Sequence, residues 1–150
     1  MKSEPSVLLE TALEGACFET AGEASSKLKL VLQQIGVPSD IVRRIAIAAY
    51  EAEMNVIIHA ARGVVKAAVY PNRTEITVED QGPGIPDISL AMKEGYSTAP
   101  DYVREMGFGA GMGLPNMLRC SDNFKIETVI GQGTTIYMVF YHDKQEAKLG

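Results

Sequence analysis

The sequence predicts an α+β fold, a two-layer α/β sandwich in which helices cover one face of a mixed, mostly antiparallel sheet. Two observations support this prediction. Stretches rich in valine, isoleucine and threonine occur as two pairs, each joined by a short turn, which is the pattern of β-hairpins. Other apolar residues repeat at helical spacing between prolines and glycines. At 150 residues, we expect one domain over 1–150 with an ordered core from about residue 7 to 141.

The first third of the chain is predicted to contain one strand and two helices. Residues 6–13 alternate as a strand does, and 23–35 carry leucines at helical spacing and stop at a glycine. A proline then introduces a second helix over 41–61, with Ser39 or Asp40 as its expected N-cap.

This second helix is apolar nearly all round, the pattern of a helix buried on most faces. Glu51, Asn55 and His59 interrupt the pattern. Because they are spaced by four they fall on one face, and burying them would be costly unless they have a function. Glu53 points away from this row and is expected to be an ordinary solvated or ion-paired residue.

The remaining elements follow from turn signals and β-branched residues. Two hairpins are predicted, and the segment 82–113 between them has the glycine and proline content of a long loop. A short helix near 88–94 and another over 114–121 complete the prediction. The predicted hairpin strands are 64–70 with 74–80, and 124–129 with 135–141.

Composition limits the classes of partner. The net charge of −5 disfavours attraction to nucleic acid or to an anionic membrane, so we expect proteins or small molecules as partners. The N-terminal residues lack the apolar stretch of a signal peptide, and we expect a cytoplasmic protein. Cys17 and Cys120 are expected to be small core residues rather than a disulfide or metal site.

An alternating-glycine run from residue 107 to 113 needs comparison with two better-known phosphate-binding motifs. A dinucleotide fingerprint would need a sixth-position glycine, which here is Met112 or Leu114, and a P-loop would need a Gly-Lys pair, which the chain lacks. A flexible strip ending at a helix N-terminus remains, where backbone N–H groups favour phosphate. Taken alone, the run fits a plain flexible loop about equally well.

Four motifs, at residues 51–55, 80–84, 107–113 and 131–135, stand in a fixed order, and this makes the combination specific. They resemble the four boxes of the ATPase superfamily shared by DNA gyrase, heat-shock protein 90, histidine kinases and MutL. Within it, the chain resembles the bacterial anti-sigma-factor serine/threonine kinases and their switch-kinase relatives. The resemblance implies a Bergerat-type ATP-binding fold, ATP and Mg²⁺ as cofactors, and an ATP lid over about 85–113.

The resemblance implies a role for each matching position. Glu51 would be the catalytic base that orients or deprotonates the nucleophile, and Asn55 would be the Mg²⁺ ligand. Asp80 would accept a hydrogen bond from the adenine amino group, although a strand-end turn former is an alternative. His59 would contact phosphate, or else be a helix-end histidine bonded to the backbone.

Further positions belong to the implied nucleotide site. Glycines after Asp80 would let the backbone pass close to the base, Thr134 would support the adenine through its hydroxyl, and the lid glycines would cradle the phosphates. Arg104 is a candidate cation for the terminal phosphate, with an ordinary exposed charge as the alternative. The remaining residues of this set are Gly82, Gly84, Ile85, Gly107, Gly109, Gly111, Gly113 and Leu114.

Two functions remain open from the sequence. The first is an anti-sigma regulatory factor that is an ATP- and Mg²⁺-dependent serine/threonine kinase and phosphorylates a small partner resembling an anti-sigma-factor antagonist. The alternative is a non-catalytic, ATP-gated protein that sequesters a sigma factor or another regulator. In either case we expect no nucleic-acid or membrane partner, and the open sheet face is a possible homodimer surface.

Overall fold

The computed structural model describes residues 4–93 and 113–143, which form one sheet covered by helices. The strands are β1 (Val7–Glu14), β2 (Arg62–Val69), β3 (Arg73–Asp80), β4 (Asn123–Val129) and β5 (Gly133–Tyr141). The α-helices are α1 (Glu23–Ile35), α2 (Ser39–His59), α3 (Ile88–Ala91) and α4 (Gly113–Cys120), and a 3-10 turn spans Phe18–Thr20.

The five described strands form a sheet in the order β1-β2-β3-β5-β4. Both predicted hairpins are present, as β2–β3 and β4–β5. Every pairing among these strands is antiparallel, so the sheet is not mixed within the described residues. The connection through α1 and α2 brings β2 back beside β1 in the opposite direction. The predicted α+β fold is confirmed.

The core lies between one sheet face and the helices. Alternate residues of β2, β3 and β5 are buried on that face, as expected for strands with one side covered. Helix α2 packs against both α1 and α4 and is buried on most of its faces, as predicted. The largest fully buried apolar side chains include Phe140, Leu28, Leu32, Ile41, Ile45, Ile57, Ile76, Met117 and Met138.

The bounds of α2 differ from the prediction at both ends. Pro38 occupies the N-cap position without a side-chain hydrogen bond, so Ser39 and Asp40 lie in the first helical turn instead of capping it. The helix ends at His59, two residues early, because the Ala61 N–H donates to the Gln81 carbonyl as the chain enters β2.

The expectation for Glu53 is wrong. Its side chain is 0% exposed, and its carboxylate accepts hydrogen bonds from the backbone N–H groups of Gly22, Ala24 and Ser25 at 3.1 to 3.2 Å. These donors form the N-terminus of α1, where Gly22 has no side chain with which to cap the helix. Glu53 therefore caps α1 from α2, and this explains how a buried carboxylate is tolerated.

Three further expectations concern the cysteines, metal binding and membrane-spanning helices. Cys17 and Cys120 are free and half-buried, and Cys120 packs against the core as expected. Within the described ranges, no cluster of histidine, cysteine and carboxylate side chains could hold a metal ion. No helix in those same ranges is long and apolar enough to cross a membrane.

Candidate functional site

The polar row on α2 is present but is less buried than expected. Glu51 and Asn55 are half-buried one turn apart, and His59 is exposed at the last helical residue. The Asn55 amide makes no hydrogen bond to any residue that the structure describes. Its carbonyl oxygen is a hard ligand atom of the kind that Mg²⁺ prefers.

The start of α4 lies against Glu51. The Asn116 Nδ2 donates to Glu51 Oε1 at 3.3 Å, and a Cβ on Gly113 would lie 3.4 Å from Glu51 Oε2. Buried Leu114 and Met117 fix α4 on the core. Asn116 and the first described residues of α4 therefore hold the Glu51 carboxylate in place. Asn116 was not among the predicted site residues.

Asp80 lies at the end of β3 and is tied to β5. Its Oδ1 accepts from the Thr134 N–H at 3.1 Å, and its carboxylate also accepts from the Gly82 N–H. Burial raises the pKa of Asp80 above its ordinary value, and these two hydrogen bonds partly offset the effect. The carboxylate is thus held in a fixed orientation at the strand end.

Three glycines allow close approach of other groups around the end of β3. A Cβ on Gly133 would collide with the Asp80 carbonyl oxygen, and a Cβ on Gly82 would lie 3.1 Å from Asp80 Oδ1. Gly84 has a φ of +80°, and its Cβ would come within 2.8 Å of the Val129 carbonyl oxygen. Gly84 and Gly133 therefore need glycine for this close approach, whereas the role predicted for Gly82 and Gly84, to let the backbone pass close to the base, stays a prediction.

Thr128 links the loop after β3 to the start of β5, and it was not among the predicted site residues. Its hydroxyl accepts from the Ile85 N–H at 2.8 Å, contacts Thr134 Oγ1 at 3.1 Å and lies 3.4 Å from the Gly133 carbonyl oxygen. In β4 the half-buried positions alternate, and Thr128 is the polar residue in that series. A threonine at an inward-facing strand position was the available signal.

His59 is the last member of the polar row, and the pKa of its imidazole is lowered. Desolvation by the surrounding protein lowers the pKa of the imidazole, even though the side chain still reaches solvent at the helix end. A neutral imidazole attracts phosphate less than a protonated one does. Phosphate contact by His59 stays a prediction.

The lid part of the prediction is outside the described residues. Arg104, Gly107, Gly109 and Gly111 lie there, and their roles stay predictions. The described members of the predicted set come from α2, the end of β3 with the following loop, the start of α4, and the start of β5. Helix α2 packs against both β3 and β5, which brings these elements to one side of the sheet.

A half-open depression of about 630 Å³ also borders Asp80. It is lined by the ends of β1, β2 and β3 together with Thr135, and includes neither Glu51 nor Asn55. This depression therefore does not coincide with the predicted nucleotide site, which requires both residues.

Comparison with known proteins identifies related chains. Residues 16–140 match the family described as the histidine kinase-like ATPase domain. The chain is 34% identical over 113 residues to the serine/threonine-protein kinase RsbT of Bacillus subtilis, covering 73% of this chain and 79% of that protein. It is also 34% identical over 142 residues to the anti-sigma F factor of Clostridium acetobutylicum, covering 91% of each chain. The anti-sigma F factor of Geobacillus stearothermophilus is 32% identical over 111 residues, which cover 70% of this chain and 73% of that protein.

Proposed function

The chain belongs to the histidine kinase-like ATPase domain family, and we propose that it is an anti-sigma regulatory factor with ATP- and Mg²⁺-dependent serine/threonine kinase activity. Its substrate would be a small protein resembling an anti-sigma-factor antagonist. The relatives named as a serine/threonine kinase and as anti-sigma F factors support this proposal.

The observation that carries the kinase proposal is the placement of Glu51. Its carboxylate is one helical turn from the Asn55 amide, and Asn116 and the start of α4 hold it in place. A fixed carboxylate can orient an attacking hydroxyl and accept its proton. Phosphoryl transfer depends chiefly on such positioning and on neutralising phosphate charge.

The cofactors would be held by separate parts of this site. Asn55 would hold Mg²⁺, which when bound supplies positive charge to the phosphates. Asp80 would accept from the adenine amino group, since Thr134 and Gly82 already fix its orientation. The Asn55 amide oxygen and the Asp80 carboxylate therefore fit an adenine nucleotide with an oxygen-liganded cation.

Labelled ATP and a candidate antagonist protein test the proposal. We expect Glu51→Gln to lower the phosphorylation rate by about 10²-fold or more, because the proton acceptor is lost, while ATP affinity changes little. Glu79→Gln is the matched control, since this exposed carboxylate pairs with Lys66 instead. Equal rates for wild type and Glu51→Gln would contradict the assigned base.

Substitution of Asp80 separates binding from transfer. We expect Asp80→Asn to weaken ATP binding by about 10- to 100-fold, which is the effect of losing a charge-assisted hydrogen bond. Calorimetric titration with ATP and Mg²⁺ measures this change. Unchanged affinity would remove Asp80 from the base-binding role.

The second candidate is an ATP-gated binder without physiological phosphoryl transfer. Relatives named anti-sigma F factors favour binding of a sigma factor. In that case the intact chain would form no phosphoprotein, and its affinity for a sigma factor would depend on ATP and be the same in Glu51→Gln.

A further inference from the structure

The hydroxyl of Thr128 lies among three hydrogen-bonding groups whose chemistry differs. The Ile85 N–H can only donate, and it lies 2.8 Å from Thr128 Oγ1. The Gly133 carbonyl can only accept, and it lies 3.4 Å from the same oxygen. The third partner is the Thr134 hydroxyl at 3.1 Å, which can do either.

One direction of the bond between the two threonines allows Thr128 to bond to all three groups. A hydroxyl has one hydrogen and two lone pairs. If Thr128 accepts from Ile85 and donates to Gly133, its remaining lone pair can only accept, so Thr134 must donate. This is the arrangement in which all three contacts are hydrogen bonds, and the half-buried Thr128 hydroxyl gains from satisfying each of them. Thr134 is 6% exposed.

The consequence concerns the free side of Thr134. Once its hydrogen is directed at Thr128, Thr134 Oγ1 presents only lone pairs to a ligand. Asp80, whose Oδ1 accepts from the Thr134 N–H, is an acceptor as well when ionised. If both side chains face the base, as the proposed adenine site requires, they favour a ligand edge that donates hydrogen bonds.

We propose that Thr128 is a specificity-determining residue that keeps Thr134 an acceptor and so favours 6-amino purines over 6-oxo purines. This inference rests on the proposed adenine-nucleotide site. An adenine amino group donates to both acceptors, whereas the O6 of a 6-oxo purine faces them with another acceptor. Thr128 acts through Thr134 and is a positioning residue that does not itself contact the base.

The test compares ATP with inosine triphosphate, which carries the 6-oxo group. In Thr128→Val the Thr134 hydroxyl is released and can rotate to donate to O6. We expect the ratio of ATP affinity to inosine triphosphate affinity to fall by about three- to tenfold, the effect of one neutral hydrogen bond. Thr128→Ser keeps a hydroxyl, so this variant should have the wild-type ratio.

The controls separate this effect from a general loss of structure. Thr77→Val is matched, because Thr77 lies on the open face of β3 and its hydroxyl makes no hydrogen bond to a described residue. A purely structural role would weaken both nucleotides equally and leave their ratio unchanged, which would overturn the inference. Thr128→Ala provides the same comparison should the valine variant fail to fold.

The same titrations distinguish the inference from its premise. If the wild-type chain binds neither nucleotide, the proposed ATP site is wrong, and the inference fails with it. If the wild type binds ATP in preference to inosine triphosphate and both Thr128 removals keep that preference, only the inference fails.

Discussion

Asn116 shows how one residue outside the recognised motifs can affect the proposed chemistry. Its amide donates to Glu51 Oε1 at 3.3 Å, across 65 residues of sequence. An amide in this position orients the carboxylate without adding charge. A substitution that changes the charge therefore tests whether Asn116 acts on the proposed base.

We expect Asn116→Asp to move the acidic limb of the kcat pH profile to higher pH. A second carboxylate beside Glu51 favours uptake of a proton by the pair. Asn116→Ala should lower kcat without moving the limb, and neither variant should greatly change the KM for ATP. Asn123→Asp is the matched control, since Asn123 bonds to the Tyr141 hydroxyl at the far end of β4. Identical pH profiles for wild type and Asn116→Asp would exclude the positioning role.

The raised pKa of Asp80 makes the free energy of unfolding depend on pH, and it sets the direction of that dependence. Between the ordinary and the raised pKa, the folded state holds more protons than the unfolded state. The free energy of unfolding therefore falls as pH rises through that window, and the cost is constant above it. We expect Asp80→Asn to lack this contribution. The free energy of unfolding of the variant minus that of wild type should therefore rise with pH between the two pKa values and then level off. Urea unfolding across acidic pH measures the difference, and parallel curves would contradict the prediction.

At the scale of elements, α1 and α2 are coupled by a cap supplied from outside α1. Glu53 binds backbone donors that lie 28 to 31 residues earlier in the sequence. The same helix carries Glu51 and Asn55 one turn apart. The cap therefore fixes α1 and the preceding turn relative to the helix that carries the proposed site.

We expect Glu53→Ala to destabilise the fold by about 3 kcal/mol, because buried N–H groups lose their acceptor. For a chain of this size the Tm should fall by on the order of 10 °C. Glu23→Ala is the control, since exposed Glu23 in the first turn of α1 contributes only through the helix dipole, about 1 kcal/mol or less. Equal Tm losses in the two variants would refute the capping role.

For the whole molecule, nucleotide binding should appear as added stability. A ligand that binds only the folded state adds about 2.7 kcal/mol at 100 times its Kd. We expect ATP with Mg²⁺ to raise the Tm, and EDTA to remove the Mg²⁺-dependent part. In Asn55→Ala, the rise in Tm caused by ATP should be the same with and without EDTA. A full Mg²⁺ effect in that variant would place the metal ligand elsewhere.

The open sheet face is the possible homodimer surface named from the sequence. Its charges are largely paired within the chain, as in Lys66 with Glu79, Arg73 with Glu75 and Lys125 with Glu127. Tyr137 and Leu8 are exposed apolar groups on the same face. Self-association through this face stays a prediction.

The sequence by itself determined the element types, the order of the hairpins and the family. Hydrophobic period, turn residues and closely spaced motifs are local signals, so α1 was predicted with its observed bounds and both hairpins were found. Only the tertiary structure decided what Glu53, Asn116 and Thr128 do. Each bonds to a group at least 28 residues away or across a hairpin, and no local pattern specifies such a partner. The partner depends on how helices and strands pack, which brings distant polar groups within hydrogen-bonding distance.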